Sequence, residues 1–450
     1  MHQSQLPTFI QELVYGSYLK VADRLHGPDA LTRDLSFAQD LFTALAIDWR
    51  RWPRVTITGS KGKGSTSALL ASILQASGER VGLVSSPEMR SFNERIRIDG
   101  RCVSFELLEE VAQEIFPAVH SITSQIEPPN YLGPGGVILA LAAKIFARSN
   151  VSALVVEAGR GGEYDEARLL QAPVSILTPI MLEHQDKLGA TVQEIARTKA
   201  YISAPGSSII MSPQTESVQS VVREVATQVG ATILAVNKDI WVEEAQSNPD
   251  GVVCTIRSDE RSYRDLHIPL AGLHQAENAA TALLAAKTLQ QAGANYTEEG
   301  VYEGLSRVRW PGRAQVLQQS PWVLVDGAIN RESAQQICEL VRHYPAKRIT
   351  AVISVPKPKD LAGVCEEIAR IADRIILTEL PVPTLTWYED AVHIASLSSP
   401  DVHSIIPAEN AFRFVMDEVQ ADEGILLLGT QSFVGSALDF WNIDTCTLWK

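Results

Sequence analysis

The chain has 450 residues, 45% of them hydrophobic and 20% charged. That excludes wholesale disorder and is enough for two or three packed cores, since a single core stops growing near ~250–300 residues. A formal net charge of −14 and a pI near 5.2 repel phosphate backbones, so nucleic acid is excluded as a general partner and only a local basic cleft for a nucleotide is left open.

The first element that stands out is the apolar run Arg54–Thr58, followed by a glycine-rich turn and a helical pattern over Ser65–Ala76. Ser152–Glu157, Val174–Ile180, Ser207–Met211 and Ala231–Val236 continue the series of Val- and Ile-rich runs. Runs this apolar suit strands buried on both faces of a parallel sheet, with the amphipathic stretches between them as covering helices. Asp239–Ile268 alternates around Asn248-Pro249-Asp250-Gly251 and predicts a small antiparallel element. Helical patterns follow over Gln275–Ala292, ended by Gly293, and over Thr297–Arg307. Trp310-Pro311-Gly312-Arg313 interrupts the pattern, so the chain divides into residues 1–308, a hinge over 309–319 and a second domain over 320–450. Strands are predicted there at Trp322–Val325, Ile349–Val355, Arg374–Leu380 and Gly424–Leu428.

Five cysteines (Cys102, Cys254, Cys338, Cys365 and Cys446) are widely spaced and contain no C-x-x-C pair. This argues against a zinc site or disulfide framework and fits a reducing compartment. Residues 1–20 show no basic region followed by an apolar run, and no apolar stretch approaches the ~20 residues that cross a bilayer. The expectation is a cytoplasmic protein with no membrane partner; the oligomeric state is not readable.

Gly59-Ser60-Lys61-Gly62-Lys63-Gly64-Ser65-Thr66 lies between a predicted strand and a predicted helix. Glycines let several backbone N–H groups turn toward one anion, and the helix N-terminus adds its partial positive charge. Lys63 is placed to neutralise outer phosphates. The spacing differs from the usual Walker loop, because Gly59 is only three residues before Gly62. The plain alternative is a glycine-rich turn; the strand–turn–helix setting favours phosphate.

With this loop on the page, the chain resembles the folylpolyglutamate synthase and dihydrofolate synthase family, within the Mur ligases. That family carries G-T-N-G-K-G-S-T, T-S-P-H and F-N-E-R-I-R, matched here by the loop, by Ser85-Ser86-Pro87-Glu88 and by Phe92–Arg97. Glu157–Gly162, His184 with Leu188-Gly189, Ile195–Ala200, Gly272–Gln275 with Asn278, Trp310–Arg313 and Asp326–Ala328 continue the family's motifs in order. The resemblance implies an α/β fold: a P-loop Mur-ligase-like central domain with the small antiparallel element, then a Rossmann-like C-terminal α/β domain. It implies an ATP-dependent, ADP-forming ligase that joins a small-molecule carboxylate to an amine or amino acid through an acyl phosphate. Lys63 and the loop would hold the ATP phosphates, and Asn278, Arg313 and Asp326 the rest of the nucleotide. Ser86, Glu157 and His184 match magnesium positions. Lys199 matches a lysine that in such ligases carries a carbamate able to bind a second metal. Lys63, His184 and Lys199 are the implied catalytic residues.

The departures cluster away from the loop's anion-binding half. The family's Asn is Lys61, its T-S-P-H histidine is Glu88, the Arg after Gly-Gly is Glu163, and its D-A-T-N is Asp165-Glu166-Ala167-Arg168. The D-H aspartate is Glu183, the D-G-A-H-N histidine is Ile329, and T-x-F-E has become Leu132-Gly133-Pro134-Gly135-Gly136. Read alone, these changes point to an altered acceptor or amino acid, with Arg160, Arg168 and Arg331 as new basic groups. The alternatives are a folylpolyglutamate or dihydrofolate synthase proper, and an ATP-binding regulatory relative without ligase activity.

Overall fold

A computed structural model describes residues 7–449; residues 1–6 and 450 of the expected domain spans lie outside the described residues. The first body is an eight-stranded sheet in the order β4-β3-β2-β5-β1-β6-β7-β8. Its strands are β1 Arg54–Thr58, β2 Val81–Val84, β3 Ile96–Ile98, β4 Arg101–Cys102, β5 Ala153–Glu157, β6 Val174–Leu177, β7 Ser208–Met211 and β8 Thr232–Ala235. β2, β5, β1, β6, β7 and β8 run parallel, while the β3–β4 hairpin is antiparallel at one edge. All five residues of β1 are buried, as a central parallel strand requires. β1 lies between β5 and β6, so the chain leaves it in opposite directions. The loops after β1, β2 and β5 open at that switch point, where such sheets form a ligand crevice.

The helix Lys63–Ala76 follows β1 and buries every residue from Ser65 to Leu74. It is packed between the sheet and the helix His274–Leu289, and their core is continuous with the inner faces of β9 Ile240–Asn248, β10 Gly251–Ser258 and β11 Ser262–Ile268. Those three strands form the separate antiparallel sheet β11-β10-β9. A second core on the other side unites the helices Thr8–Leu19, Ser36–Ala44, Phe105–Thr123 and Pro134–Arg148.

The second body is a six-stranded sheet in the order β12-β13-β17-β14-β15-β16. It is built from β12 Gln315–Gln319, β13 Trp322–Asp326, β14 Ile349–Ser354, β15 Arg374–Leu377, β16 Val402–Ser404 and β17 Gly424–Gly429. All its pairings are parallel except β12 on β13.

Two expected boundaries move. The hinge read over 309–319 is shorter, because Gln315–Gln319 pairs with β13 as an edge strand. The tail assigned to the second domain returns to the first: Arg101 bridges Thr447, and Leu448 and Trp449 are buried in the first body's core. Burying Leu448 and Trp449 against that core is the apolar gain that draws the tail back. Among the described residues, no helix is long and apolar enough to cross a membrane.

Candidate active site

A cavity of about 770 Å³ lies between the two bodies. One wall is the loop after β1 with Ser86 and Glu157; the other is Trp310, Arg313 and Asp326. The loop is shaped by two glycines with left-handed backbone, Gly59 at φ 140° and Gly62 at φ 83°. A Cβ at Gly59 would fall 1.9 Å from Thr178 Oγ1, and one at Gly62 2.7 Å from Asn278 Oδ1. Ser60 and Lys61 donate their N–H groups to Pro179 O at 2.9 and 3.3 Å, which ties the loop to the end of β6. The same tie ends β6 at Leu177, short of the expected Ile180.

No side chain caps the helix Lys63–Ala76. The first N–H that closes an intrahelical bond is Thr66, to Gly62 O at 2.9 Å, so the N–H groups of Lys63, Gly64 and Ser65 point from the helix N-terminus. Lys63 Nζ folds back onto Gly59 O at 2.9 Å. Gly64 lets the hinge approach: a Cβ there would lie 2.4 Å from the Trp310 ring.

Glu157, the last residue of β5, is 7% exposed and accepts a hydrogen bond from Ser86 N–H at 3.4 Å. Burial pushes its pKa up to about 7, against the pull of Lys63, the Ser86 bond and Arg313. Asn278 is held by Gln275, whose Oε1 accepts from Nδ2 at 2.9 Å, and by Thr66 at 3.4 Å. Asp326 accepts from Ala314 N–H at 2.8 Å, and burial raises its pKa against the pull of Arg313. Partial desolvation at the cavity wall and then Arg313 lower the pKa of Lys61, whose side chain is still solvent-exposed, so two cations share this part of the cavity.

The cavity therefore gathers Lys61, Lys63, Ser86, Glu157, Asn278, Arg313 and Asp326, while His184 and Lys199 stand behind the loop and off the cavity wall. Glu183 links them. Lys199 Nζ lies 3.0 Å from Glu183 Oε1, and His184 Nε2 lies 4.0 Å from Glu183 Oε2. Lys199 is fully buried and also donates to Gly59 O at 3.1 Å and Arg160 O at 2.8 Å. Burial lowers its pKa to about 8, with Glu183 opposing. Partial desolvation lowers His184 as well, though its side chain is half exposed, again against Glu183. Residues missed from the sequence are Thr178 and Pro179, which seat the loop, and Trp310 as a packing partner of Gly64. Nothing in their local pattern marks them, because their role comes from tertiary contact.

The departures have internal partners. Glu88 is bound by Arg95 Nε at 2.5 Å. Arg160 is held by Asp29, Arg168 donates to Glu163 O, and Arg331 pairs with Glu366 and Glu367. The arginines read as new substrate-binding groups are thus already engaged. Glu166 sits over the altered Gly-rich segment: a Cβ on Gly135 would lie 2.6 Å from its Oε2, and one on Gly133 1.9 Å from its Oε1. Arg33 closes this buried carboxylate at 2.5 Å. Ile329 packs at the margin of the second body's core.

Comparison with known proteins decides the family. The Mur ligase middle domain matches residues 57–286, and the Mur ligase glutamate ligase domain matches 312–431. A Mycobacterium tuberculosis dihydrofolate synthase/folylpolyglutamate synthase is 30% identical over 78% of this chain and 74% of its own length. The chain belongs to the folylpolyglutamate synthase/dihydrofolate synthase family of Mur ligases. A Bacillus subtilis dihydrofolate synthase/folylpolyglutamate synthase is 27% identical over 84% of this ligase and 88% of its own length. A Mycobacterium tuberculosis folylpolyglutamate synthase complexed with ADP superposes with a TM-score of 0.84 at 26% identity, covering 97% of this ligase and 99% of that chain. This ligase is an ATP-dependent, ADP-forming amide ligase, and the regulatory alternative falls away.

Proposed function

We propose that this ligase is a folylpolyglutamate or dihydrofolate synthase proper, which joins the carboxylate of a folate-type acceptor to the amino group of glutamate. The expectation of an altered substrate gives way to this reading. The observation that carries it is the seat of Glu166. The family's T-x-F-E segment is Leu132-Gly133-Pro134-Gly135-Gly136 here, with no acid of its own, and the Glu166 carboxylate fills the space over Gly133 and Gly135. A carboxylate lost at one position is supplied from another. Glu88 likewise brings no free charge, since Arg95 neutralises it. Two of the changes that point to a new substrate, over Gly133–Gly135 and at Glu88, are thus met by partners within the protein, and the relatives' names supply the substrate class.

In the proposed reaction the acceptor carboxylate oxygen attacks the γ-phosphorus of ATP and ADP leaves. The glutamate amine then attacks the acyl carbon, loses a proton, and phosphate departs. Little covalent chemistry falls to the protein, whose part is positioning and charge. The helix N-terminus and Lys63 hold the transferring phosphate, with Lys61 of the loop and Arg313 of the hinge as further cations around it. Asn278 and Asp326 orient the nucleotide. Closure about Trp310–Arg313 excludes water from the acyl phosphate.

Ser86 and Glu157 fit a magnesium ion: both line the cavity beside Lys63, the Ser86 backbone N–H holds the buried Glu157 carboxyl, and oxygen donors are what this cation takes. Magnesium needs few protein ligands, because it keeps waters and phosphate oxygens. When bound, it would neutralise charge on the transferring phosphoryl group. His184 joins this set by resemblance alone. Lys199 is read here as an ammonium, since its three acceptors suit a donor; a carbamate would face the same oxygens. In that form it braces Glu183 and the Gly59 carbonyl beneath the loop.

Protonation of Glu157 competes with the metal. Its pKa of about 7 in the metal-free protein means that the magnesium needed for half-maximal turnover should rise as pH falls from 8 to 6, up to about tenfold per unit below the pKa. Glu157→Gln should raise that requirement throughout and flatten its pH dependence. A magnesium titration unchanged by pH and by the substitution would contradict the assignment. The substrate reading is tested by mass spectrometry of a reaction of tetrahydrofolate, glutamate, ATP and magnesium, with a product one glutamyl residue heavier as the expected outcome.

A further inference from the structure

The C-terminal tail brings together two thiols that the ligation chemistry does not use. Arg101 and Thr447 form an antiparallel bridge; beside it Cys102 N–H donates to Cys446 O at 2.9 Å and Leu448 N–H to Gly100 O at 3.0 Å. That register sets Cys102 of β4 directly opposite Cys446. Opposed residues in an antiparallel pair have Cα atoms about 4.5–5.5 Å apart, inside the ~4.4–6.8 Å that a disulfide spans. Both cysteines are free and partly exposed, whereas Cys254, Cys338 and Cys365 are buried.

The surroundings favour thiol exchange. The Arg97 side chain is almost fully buried. It donates from Nη1 to Cys102 Sγ at 2.9 Å and to Cys446 O at 3.3 Å, and from Nη2 to Thr445 O at 3.0 Å. The Glu94 and Asp444 carboxylates oppose it, with Glu94 Oε1 also accepting from Thr445 Oγ1 at 2.6 Å. A hydrogen bond between the thiols raises the pKa of Cys102 and lowers that of Cys446, which couples their deprotonation.

We propose that Cys102 and Cys446 form a modification site, a dithiol that small-molecule disulfides convert to an intramolecular disulfide fastening the tail to β4. The thiolate of one cysteine attacks one sulfur of the small disulfide, forming a mixed disulfide and releasing one small thiolate. The other cysteine then loses its proton to water and attacks the protein sulfur of the mixed disulfide, displacing the second small thiolate. Two protein thiols become one disulfide, and the small disulfide is reduced to two thiols. Thr445 and Leu448 line the cavity between the bodies, and the tail continues from the helix Gln431–Phe440 of the second body. The new bond therefore adds a covalent tie beside the hinge and the contacts of Arg90 with Asp439 and of Gln431 with Pro87 and Glu88, and slows opening of the two bodies. That last consequence rests on the ligase reading; the bond itself does not.

The test equilibrates the reduced full chain in an oxidised-glutathione buffer, blocks free thiols by alkylation and maps peptides without reduction. The expected result is a Cys102–Cys446 linked peptide with two of the five thiols lost, reversed by dithiothreitol. ATP turnover in the oxidised form should be roughly tenfold slower and should recover on reduction. Cys102→Ser should keep its turnover in both buffers. Glutathione adducts without a linked peptide, or linkage through Cys254, Cys338 or Cys365, would overturn the site. A linked peptide with unchanged turnover supports the site and removes only its effect on opening. Because the peptide map needs no activity, it stands apart from any failure of the folate assignment.

Discussion

Replacing Lys63 by alanine is expected to lower ATP turnover by roughly a hundred- to a thousandfold, the usual cost of removing one preorganised charge from a transferring group. Its ammonium is the cation closest to the orphan N–H groups of the helix start, and in the ligand-free protein it rests on Gly59 O at 2.9 Å. That contact lets it swing to an incoming phosphate without rebuilding the loop. The side chain is only partly buried and leaves no core cavity, so the denaturation midpoint should stay close to that of the parent, within about 0.5 kcal/mol. Turnover near the parent level would remove the phosphate role from the loop; loss of both turnover and stability would show that the lysine holds the loop instead.

The second large effect is on stability. Arg33→Ala should cost about 3–5 kcal/mol, because it leaves the buried Glu166 carboxylate without its partner. The exchange between Glu166 and Gly135 can be tested directly. Gly135→Glu alone sets a second carboxylate against the first and should destabilise. Glu166→Ala alone leaves Arg33 unpaired and should destabilise. The double variant returns one acid to the same space and should recover a large part of the loss. Simple addition of the two single effects in urea unfolding would contradict the view that the acid was moved within the site.

How far the primary structure carries depends on where each residue's information lies. Trp322–Val325 is buried on both faces, and its uninterrupted apolar run marks it directly; Arg54–Thr58 (RVTIT) is as buried but is marked by its β-branched residues and the glycine-rich loop that follows. β2 is not marked in the sequence because Gly82 interrupts its apolar run, and the β3–β4 hairpin is not marked because its strands have only three and two residues. Gln315–Gln319 (QVLQQ) does not alternate, because its pairing with β13 shifts register between Val316 and Gln318, so its pattern reads as linker. Trp449 looks like a frayed terminus until the core that receives it is seen. The same limit governs the site. Gly59, Gly62 and Lys63 are read together because the loop is contiguous. Glu166 and Gly135 lie 31 positions apart in the numbering, so each looks like a loss of function when taken singly. Only their juxtaposition turns two losses into one exchange.

The most direct measurement of the central claim is steady-state ADP release with folate-type acceptors and glutamate, run beside other carboxylates and other amino acids. The account predicts saturable turnover that needs both the folate-type acceptor and glutamate, with kcat/KM for that pair well above every other pair in the panel. Turnover with a different acceptor or amino acid, and none with the folate pair, would contradict it.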